Sequence, residues 1–296
     1  MTRIALVTGA QSQLARCMRM AGAPPGWRAA YLAREELDIA DPSQVQTALD
    51  KAAPDCIVNT AAYTAVDKAE SEPDQARRVN ADAVANLAPW CEANDSRLIH
   101  VSTDFVFDGR ATAPYLPEDE PAPLGEYGRS KLIGEREVGK LPAGQGVVVR
   151  TSWLYSEFGR NFVKTMLSLM AERDELAVVN DQSGCPTSAH SLAALIWRMV
   201  LLPARSGLYH WHDGGVMSWY EFALEIQKWG QAAGVLQSVI PIRPIASAEY
   251  PAAATRPAYS VMDRSRTMAD FEMPERDWRS DLVRVVGAIA ELGGPR

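Results

Sequence analysis

The chain begins with short apolar runs that alternate with amphipathic segments. Apolar, β-type runs occur at residues 4–8, 28–32, 55–59, 98–102 and 146–150, and a stretch with helical periodicity follows each of them. Strands that alternate with helices indicate a parallel sheet with right-handed crossovers. The pattern therefore predicts an α/β fold of the Rossmann type, with a doubly wound parallel sheet.

The alternation becomes less regular beyond residue 150. We expect a dinucleotide-binding domain at residues 1–150 and a smaller mixed α/β domain, mainly for substrate, at residues 151–296. The chain is expected to cross back to the first domain within about residues 160–232. In the first part, an alanine-rich helix is predicted at about residues 75–93. The elements predicted in the second part are helices at about 161–171, 188–201, 218–232 and 282–292, a strand at 175–179 and a loop at 181–187.

Composition narrows the class of protein. The 296 residues have a formal net charge of −7, which argues against a nucleic-acid partner, because such a surface needs a basic face. The four cysteines are scattered without a CxxC pair, so neither a zinc site nor a disulfide framework is expected. No apolar run is long enough to span a membrane, and residues 1–10 enter a strand directly. We expect a cytoplasmic protein with no membrane partner.

The turn after the first strand is a candidate phosphate loop. In dinucleotide-binding folds this turn has three spaced glycines, and the corresponding positions here are Gly9, Ser12 and Ala15. Ala15 suits close packing of the helix on the strand. Ser12 places a Cβ where the backbone should approach the pyrophosphate, although its hydroxyl can donate to a phosphate oxygen. An ordinary βα turn explains this segment equally well.

The end of the second strand bears on the choice of cofactor. An acidic residue at this point binds the ribose of NAD, and a basic residue accommodates the additional phosphate of NADP. Here Arg34 follows the strand, with no acid at its tip, so it is a candidate ligand for the 2′-phosphate. The alternative is a solvated arginine beside Glu35 and Glu36. We expect NADPH to be used at least as well as NADH.

Tyr127 and Lys131 stand four residues apart at the start of a predicted helix, so they share one helical face. The Lys131 ammonium is expected to lower the pKa of the Tyr127 phenol and make it a general acid. Thr103 ends the preceding strand and is expected at the same edge of the sheet. In a hydride-transfer site Thr103 would bind the substrate oxygen, Tyr127 would donate the proton, and Lys131 would hold the cofactor ribose. The spacing by itself also occurs by chance on surface helices.

Longer segments make the chain resemble the extended short-chain dehydrogenase/reductases, a family that includes enzymes of nucleotide-sugar metabolism. The resemblance extends over most of the chain. The matching segments are NTAAYTAVDKAESEP, HVSTDFVFDG, PLGEYGRSKLIGE, RTSWLYSEFGRNFVKTM, ELAVVNDQSGCPT, GLYH and ATRPAYS.

The resemblance implies NAD(P)H-dependent reduction of the 4-keto group of dTDP-4-dehydro-L-rhamnose to give dTDP-L-rhamnose. It implies that Thr103, Tyr127 and Lys131 are catalytic and that Thr103, Asp104 and Trp153 face the sugar nucleotide. The cofactor-binding residues that we expect, with Arg34 added from the argument above, are Gly9, Ser12, Gln13, Leu14, Arg34, Asp38, Ile39, Ala62, Tyr63, Thr64, Tyr127 and Lys131.

Other residues raise the question of a metal. Some family members hold Mg²⁺ at a dimer interface through acidic side chains, but His190 stands where a glutamate is used. A metal is therefore not expected, and both a monomer and a homodimer remain open. His210 and His212 alternate as two ligands on a strand would, but further ligands are not evident, which favours a structural role. Trp219 and Trp229 have helical neighbours and are expected to serve packing.

Two other functions are compatible with the same fold. One is a non-catalytic regulatory subunit of a methionine adenosyltransferase, which the degenerate glycine loop would favour. The other is a nucleotide-sugar epimerase or dehydratase, which would retain a bound NAD. Dehydratases of this type have two acids directly after the catalytic hydroxyl residue, whereas Thr103 is followed by Asp104 and Phe105.

Overall fold

A computed structural model describes residues 2–202 and 205–295 of the chain. The strands are β1 Arg3–Thr8, β2 Trp27–Leu32, β3 Cys56–Asn59, β4 Arg97–Thr103, β5 Gly146–Thr151, β6 Leu154–Tyr155, β7 Leu176–Val179, β8 Ser183–Gly184, β9 Thr187–Ser188, β10 Gly207–Trp211, β11 Met217–Ser218 and β12 Ile242–Ile245. The α-helices are α1 Gln13–Ala21, α2 Pro42–Ala52, α3 Val66–Ala69, α4 Pro73–Arg77, α5 Ala83–Ala93, α6 Glu126–Val138, α7 Phe162–Glu172, α8 Ala189–Leu201, α9 Trp219–Ala232, α10 Ser265–Phe271 and α11 Trp278–Glu291.

The central sheet has six parallel strands in the order β10-β5-β4-β3-β1-β2. The strand order changes direction between β1 and β3, and open α/β sheets bind ligands at such a switch point, beyond the carboxyl ends of the strands. The doubly wound α/β fold predicted from the sequence is confirmed. The five strands predicted in the first part agree with the structure to within one residue at each end.

Helices cover both faces of the sheet. Side chains alternate between the two faces along each strand, so apolar residues pack against helices on either side. Ala5 and Val7 point to one face and pack with buried residues of α1 and α8. Leu6, between them, points to the other face and packs with α2 and α5. All three side chains are fully buried. This burial holds the carboxyl edge of the sheet in place.

The second part of the chain contributes to this sheet as well as to a separate core. β10 pairs with β5 at one edge, and the Trp197 indole of α8 donates to the Met18 carbonyl of α1 at 3.2 Å. A further hydrophobic cluster unites α7, α9 and α11 around Tyr155, Phe222 and Trp278. A domain change near residue 150 stays a prediction.

The long helix predicted at residues 75–93 is interrupted. A π-helical segment, Arg78–Asp82, separates α4 from α5, and it contains the buried Asn80. Gly134 of α6 lies so close that an added Cβ would collide with the Asn80 carbonyl oxygen. Close packing against α6 thus accompanies the wider turn, and π-bulges are frequent at functional sites.

Two boundaries differ from the sequence prediction in the later part. α11 begins at Trp278, a turn before the predicted start, with Asp277 accepting from the Arg279 amide as its N-cap. The segment predicted as a loop at 181–187 contains the short strands β8 and β9, which pair with β11 and β6. Such two-residue pairings depend on distant partners and leave no periodicity in the sequence.

No helix within residues 2–202 and 205–295 has both the length and the apolar character needed to cross a membrane.

Candidate active site

A groove of about 860 Å³ lies along the carboxyl ends of the central strands. Its walls come from both parts of the chain. All the residues that the sequence analysis assigned to cofactor, substrate or catalysis line this groove: Gly9, Ser12, Gln13, Leu14, Arg34, Asp38, Ile39, Ala62, Tyr63, Thr64, Thr103, Asp104, Tyr127, Lys131 and Trp153. The structure therefore brings the predicted residues together in one groove.

The turn after β1 has the shape that a phosphate loop requires. Gly9 has φ +65°, and an added Cβ would lie 3.0 Å from the Ala61 backbone, so a side chain here would be both strained and crowded. Ser12 is the N-cap of α1, where its Oγ accepts from the Ala15 amide at 3.1 Å and contacts Thr60 Oγ1 at 2.9 Å. The hydroxyl is thus engaged by the protein. The start of α1 faces the groove, which suits the diphosphate of a dinucleotide.

Two arginines flank Asp38, which lines the end of the groove where β2 terminates. Arg34 Nη2 lies 3.6 Å from Asp38 Oδ2, and Arg78 Nη2 lies 3.7 Å from the same oxygen. The Arg34 side chain is 68% exposed. Two guanidinium groups thus share one carboxylate at the position expected for the adenosine ribose, and Glu35 also lines the groove here. Sequence reasoning missed Arg78 because it lies in the π-helical segment, far along the chain from β2.

Helix α6 places Tyr127 and Lys131 in the groove, and Thr103 reaches it from the end of β4. Burial raises the pKa of Tyr127 to about 12, with the Asp104 carboxylate adding to the rise and the Thr103 hydroxyl opposing it. The net direction of the shift is therefore opposite to the lowering expected from the spacing of Tyr127 and Lys131. The Tyr127 side chain is half-buried and lines the groove, and desolvation disfavours the phenolate more strongly than its neighbours favour it.

Lys131 is itself buried, with 2% of its surface exposed. Its Nζ donates to the Val101 carbonyl oxygen at 2.6 Å and contacts His100 Nε2 at 3.1 Å. Burial lowers the pKa of Lys131 to about 8, which the Glu135 carboxylate partly opposes. Burial and the Lys131 charge keep the pKa of His100 well below 6.5. At neutral pH an ammonium therefore lies against a neutral imidazole.

A buried asparagine ties helix α6 to the loop after β3. Asn80 Oδ1 accepts from the Tyr63 amide at 2.9 Å, and its Nδ2 donates to the Tyr63 carbonyl at 3.0 Å and to Ser130 Oγ at 3.0 Å. Ser130 Oγ in turn donates to the Tyr127 carbonyl at 2.8 Å. Glu70 accepts from the first amide of α6 at 2.8 Å and so caps the helix, since Gly125 has no side chain. The cofactor loop and the helix with Tyr127 thus form one hydrogen-bonded unit.

The opposite wall of the groove is aromatic. Trp153 has φ +46° and stacks on Trp219 of α9, with ring centroids 3.5 Å apart and planes 10° from parallel. Gly184 leaves room for the indole, since an added Cβ would lie 2.7 Å from the ring. Both tryptophans line the groove. The sequence analysis assigned Trp219 to packing, and nothing in the local pattern of α9 indicates that it reaches the site.

Two further charged groups lie where the walls meet. Asp104 is 2% exposed, its Oδ1 accepts from the Thr103 hydroxyl at 3.1 Å, and burial raises its pKa to about 6. Arg256 lines the groove and pairs with Asp67 Oδ2 of α3 at 2.8 Å. The Asp67 carboxylate also accepts from the Ala254 amide at 3.1 Å. These bonds attach the late segment around Arg256 to the first part of the chain.

With this geometry established, comparisons with known proteins identify the family. The family model described as the RmlD substrate binding domain matches residues 2–291. The dTDP-4-dehydrorhamnose reductase of Sinorhizobium fredii strain NGR234 is 40% identical over 290 residues, which is 96% of each protein. The chain belongs to the dTDP-4-dehydrorhamnose reductase family. The family resemblance seen in the sequence is therefore confirmed.

Solved structures of the dTDP-4-dehydrorhamnose reductase family have the same fold. The Bacillus anthracis reductase in complex with NADP superimposes with a TM-score of 0.90 at 35% identity, covering 96% of this chain and 99% of that one. The Clostridium acetobutylicum orthologue gives a TM-score of 0.89 at 34% identity, covering 97% and 99%. A UDP-glucose 4-epimerase from Brucella ovis, at 17% identity and a TM-score of 0.76, shares the fold alone.

The two histidines that resembled metal ligands bind backbone groups instead. His210 Nδ1 lies 3.2 Å from the Asp263 carbonyl oxygen. His212 contacts the Asp213 carbonyl at 2.6 Å through Nδ1 and the Met262 carbonyl at 2.8 Å through Nε2. These contacts anchor the end of β10 to the segment before α10, which is a structural role.

His190 lies beside a carboxylate. This histidine stands where some family members have a glutamate that binds Mg²⁺. Its Nε2 is 2.9 Å and 3.0 Å from the two oxygens of Glu157, and Cys17 lies close enough that the three ligand atoms are within 4.8 Å of one another. Burial raises the pKa of Cys17 to about 12, so its thiol is protonated at neutral pH and is a poor ligand. Mg²⁺ prefers oxygen ligands, which this group does not supply in number.

Proposed function

We propose that the protein is a dTDP-4-dehydrorhamnose reductase. It reduces the 4-keto group of dTDP-4-dehydro-L-rhamnose with NAD(P)H to give dTDP-L-rhamnose, in the biosynthesis of this nucleotide sugar. The observation that supports the reaction best is the meeting of Thr103, Tyr127 and Lys131 on one wall of the groove. Relatives that bear the name of this enzyme match nearly the whole chain.

Side chains of the protein carry out the proton transfer. The Thr103 hydroxyl orients the substrate carbonyl, and Tyr127 donates its proton as negative charge develops on the oxygen. A pKa of about 12 keeps the Tyr127 phenol protonated at neutral pH, which is the form that a general acid requires. The Lys131 ammonium stabilises the phenolate that results and holds the cofactor ribose. The nicotinamide, when bound, supplies the hydride.

We assign the cofactor to the half of the groove between the Gly9 turn and the two arginines at the end of β2. The crowded Cβ position at Gly9, the start of α1 and the Arg34–Asp38–Arg78 cluster together suit a dinucleotide with a 2′-phosphate. NADPH is therefore used at least as well as NADH. Asp104 and Trp153 on the far side face the sugar nucleotide, and no metal takes part.

Net charge and cysteine content support a proposal for the partners and the cellular location of the enzyme. Its partner is the dTDP-sugar substrate, and the net charge of −7 speaks against a nucleic-acid partner. The four cysteines are buried free thiols, which suits a reducing compartment, and we place the enzyme in the cytoplasm without a membrane partner. It acts as a monomer or a homodimer.

The decisive experiment is a steady-state assay of the purified protein with dTDP-4-dehydro-L-rhamnose and either NADPH or NADH. We expect oxidation of the nicotinamide, followed at 340 nm, and stoichiometric formation of dTDP-L-rhamnose. dTDP-glucose, which has no keto group, is the matched control and should give no oxidation. A change in NADPH fluorescence without consumption would favour a regulatory subunit. Tightly retained NAD, with sugar interconversion and no net consumption, would favour an epimerase or dehydratase.

A further inference from the structure

A line of buried polar side chains runs from the catalytic lysine across three strands of the sheet. Lys131 Nζ contacts His100 Nε2 of β4 at 3.1 Å, and His100 Nδ1 contacts Asn59 Nδ2 of β3 at 3.0 Å. Asn59 Oδ1 contacts Thr8 Oγ1 of β1 at 2.7 Å. Each of the four residues is at most 2% exposed. Sequence reasoning did not single out His100, Asn59 or Thr8.

We propose that His100 is a positioning residue for the reduction: its Nε2 accepts a hydrogen bond from the Lys131 ammonium, and Asn59 and Thr8 hold the tautomer that makes this possible. The inference rests on the proposed function, because it assigns Lys131 a catalytic role. It concerns a residue that reaches neither cofactor nor substrate and acts through the lysine.

The directions of the hydrogen bonds follow from the donors available. An ammonium has three donors and no acceptor, so the Lys131 bond to His100 needs a lone pair on Nε2. A neutral imidazole then has its proton on Nδ1, and Asn59 must present its amide oxygen to that proton and its nitrogen to the Thr8 hydroxyl. In the structure the Asn59 amide nitrogen faces His100 and the amide oxygen faces Thr8. The arrangement proposed here therefore requires a 180° rotation of the amide, which exchanges its oxygen and nitrogen positions.

The opposite direction requires a different charge on the lysine. If the Asn59 amide nitrogen donates to His100 Nδ1, the imidazole proton lies on Nε2 and points at Lys131 Nζ. Only a neutral amine can accept that bond. The tautomer of His100 and the charge of Lys131 are therefore coupled. Since a second Lys131 hydrogen goes to the Val101 carbonyl, the ammonium has one N–H left for the groove.

The line of side chains does not deliver protons from solvent. Thr8 is 1% exposed, Asn59 0% and His100 1%, so the line ends inside the protein. Its effect must therefore be to orient the ammonium and to stabilise its charge. Such support matters here because burial lowers the pKa of Lys131 to about 8. A lost partner would move that pKa further toward neutrality.

Other ionisable groups around the lysine are accounted for. On its own helix, Tyr127 lies one turn before it and the Glu135 carboxylate one turn after, and the latter raises the pKa of Lys131. Glu135 is bound by Arg150 of β5 at 2.7 Å. From β4 the contact is His100, and its low pKa keeps the imidazole neutral. The histidine is thus the uncharged acceptor opposite the ammonium.

The first test reads the tautomer directly and needs no turnover. The full chain is labelled with ¹⁵N-histidine, and the His100 signals are assigned by their absence in His100→Gln. We expect ¹⁵N shifts of an Nδ1-protonated neutral ring at pH 7, changing toward the Nε2-protonated form as Lys131 loses its proton at higher pH. A charged imidazolium at pH 7, or an Nε2-protonated ring there, would overturn the proposal.

The second test compares His100→Gln with His100→Leu. Glutamine can accept from Lys131 and donate to Asn59, so its kcat should stay within about threefold of the parent, whereas leucine should lower kcat about tenfold or more because a buried charge loses its partner. Leucine should also move the alkaline limb of the kcat profile to lower pH, since the Lys131 pKa falls further. The Michaelis constant for the sugar nucleotide should change little in either variant.

His212→Leu is the matched control, since it removes a buried histidine that binds only backbone carbonyls. Its thermal midpoint should fall, but its alkaline limb should stay in place. If His100→Leu keeps the parent kcat and pH profile, or if the two leucine variants behave alike, His100 is merely structural. If the unchanged protein fails to consume NADPH with the sugar nucleotide, the proposed function fails, whereas the tautomer measurement still decides this inference.

Discussion

The two walls of the groove are built on different principles. The wall formed by β4 and α6 is held by hydrogen bonds between buried polar side chains, among them Asn80, Ser130 and His100. The opposite wall is held by the stacked rings of Trp153 and Trp219. Proton transfer needs donors at fixed positions, whereas recognition of a substrate needs apolar area and shape. We therefore expect the α6 wall to determine the rate of turnover and the tryptophan wall to determine binding of the substrate.

This separation has an energetic basis. A buried hydrogen bond is directional, and removing one partner leaves the other unsatisfied in a medium of low dielectric. Stacked aromatic area is less directional, and its loss mainly removes contact surface. Substitutions on the α6 wall should therefore impair catalysis or folding, and substitutions on the tryptophan wall should weaken binding of the sugar nucleotide.

The largest effect is expected for Tyr127→Phe. The ring and its packing on Phe105 are kept, and the proton donor is lost, so kcat should fall about a thousandfold with a small change in the Michaelis constants. Tyr115→Phe is the control: its phenol donates to Asp108 at 2.8 Å outside the groove, so stability but not kcat should respond. Steady-state kinetics and thermal melting measure both, and full turnover by Tyr127→Phe would remove the proton-donor assignment.

The next largest effect is expected for Asn80→Ala, which leaves both backbone groups of Tyr63 without their partner. The free energy of unfolding should fall by about 2–4 kcal/mol. Asn86→Ala, on the same helical stretch, loses a single bond to the Ile39 carbonyl and should lose about 1 kcal/mol. Urea unfolding distinguishes them. If the two variants lost the same free energy of unfolding, the buried hydrogen bonds of Asn80 would contribute no more to stability than the single bond of Asn86.

On the tryptophan wall, Trp219→Ala should raise the Michaelis constant for the sugar nucleotide about tenfold, which corresponds to about 1.4 kcal/mol of lost contact. kcat should stay within about threefold and the NADPH constant should not change. Trp229→Ala on the same helix is the control, because its indole binds Glu225 and packs on the second core. A fall in kcat at unchanged Michaelis constant would contradict the separation of the two walls.

The same contrast explains what the sequence could predict. Tyr127 and Lys131 lie on one helix turn, and Thr103 ends a strand whose position follows from the βα rhythm, so local pattern and topology were enough to bring them together. Trp219 lines the groove from α9, and Arg78 reaches Asp38 at the end of the groove from the π-helical segment. Their placement depends on tertiary packing that leaves no periodic signal.

The electrostatics of the site were not predictable in the same way. The spacing of Tyr127 and Lys131 suggested a lowered phenol pKa, but burial reverses the sign and raises it to about 12. His100 read as one more residue of a buried strand, although its ring contacts the lysine. Burial and hydrogen-bond direction depend on the folded chain, so the spacing of residues in a sequence motif cannot predict them.

The smallest effect is expected at the exposed rim of the groove. Polar contacts there contribute less binding energy than the buried hydrogen bonds of the α6 wall. Arg34 is 68% exposed, and exposed ion pairs contribute at most about 1 kcal/mol because water screens them. Arg34→Ala should therefore raise the Michaelis constant for NADPH by only about threefold and leave that for NADH unchanged. Arg28→Ala, an exposed arginine on β2, should change neither. Arg78 shares Asp38 with Arg34, so the double variant Arg34→Ala/Arg78→Ala should lose more NADPH preference than the single one. Comparable kinetics with both nicotinamides, unchanged in Arg34→Ala, would remove the basis for a 2′-phosphate site at this end of the groove.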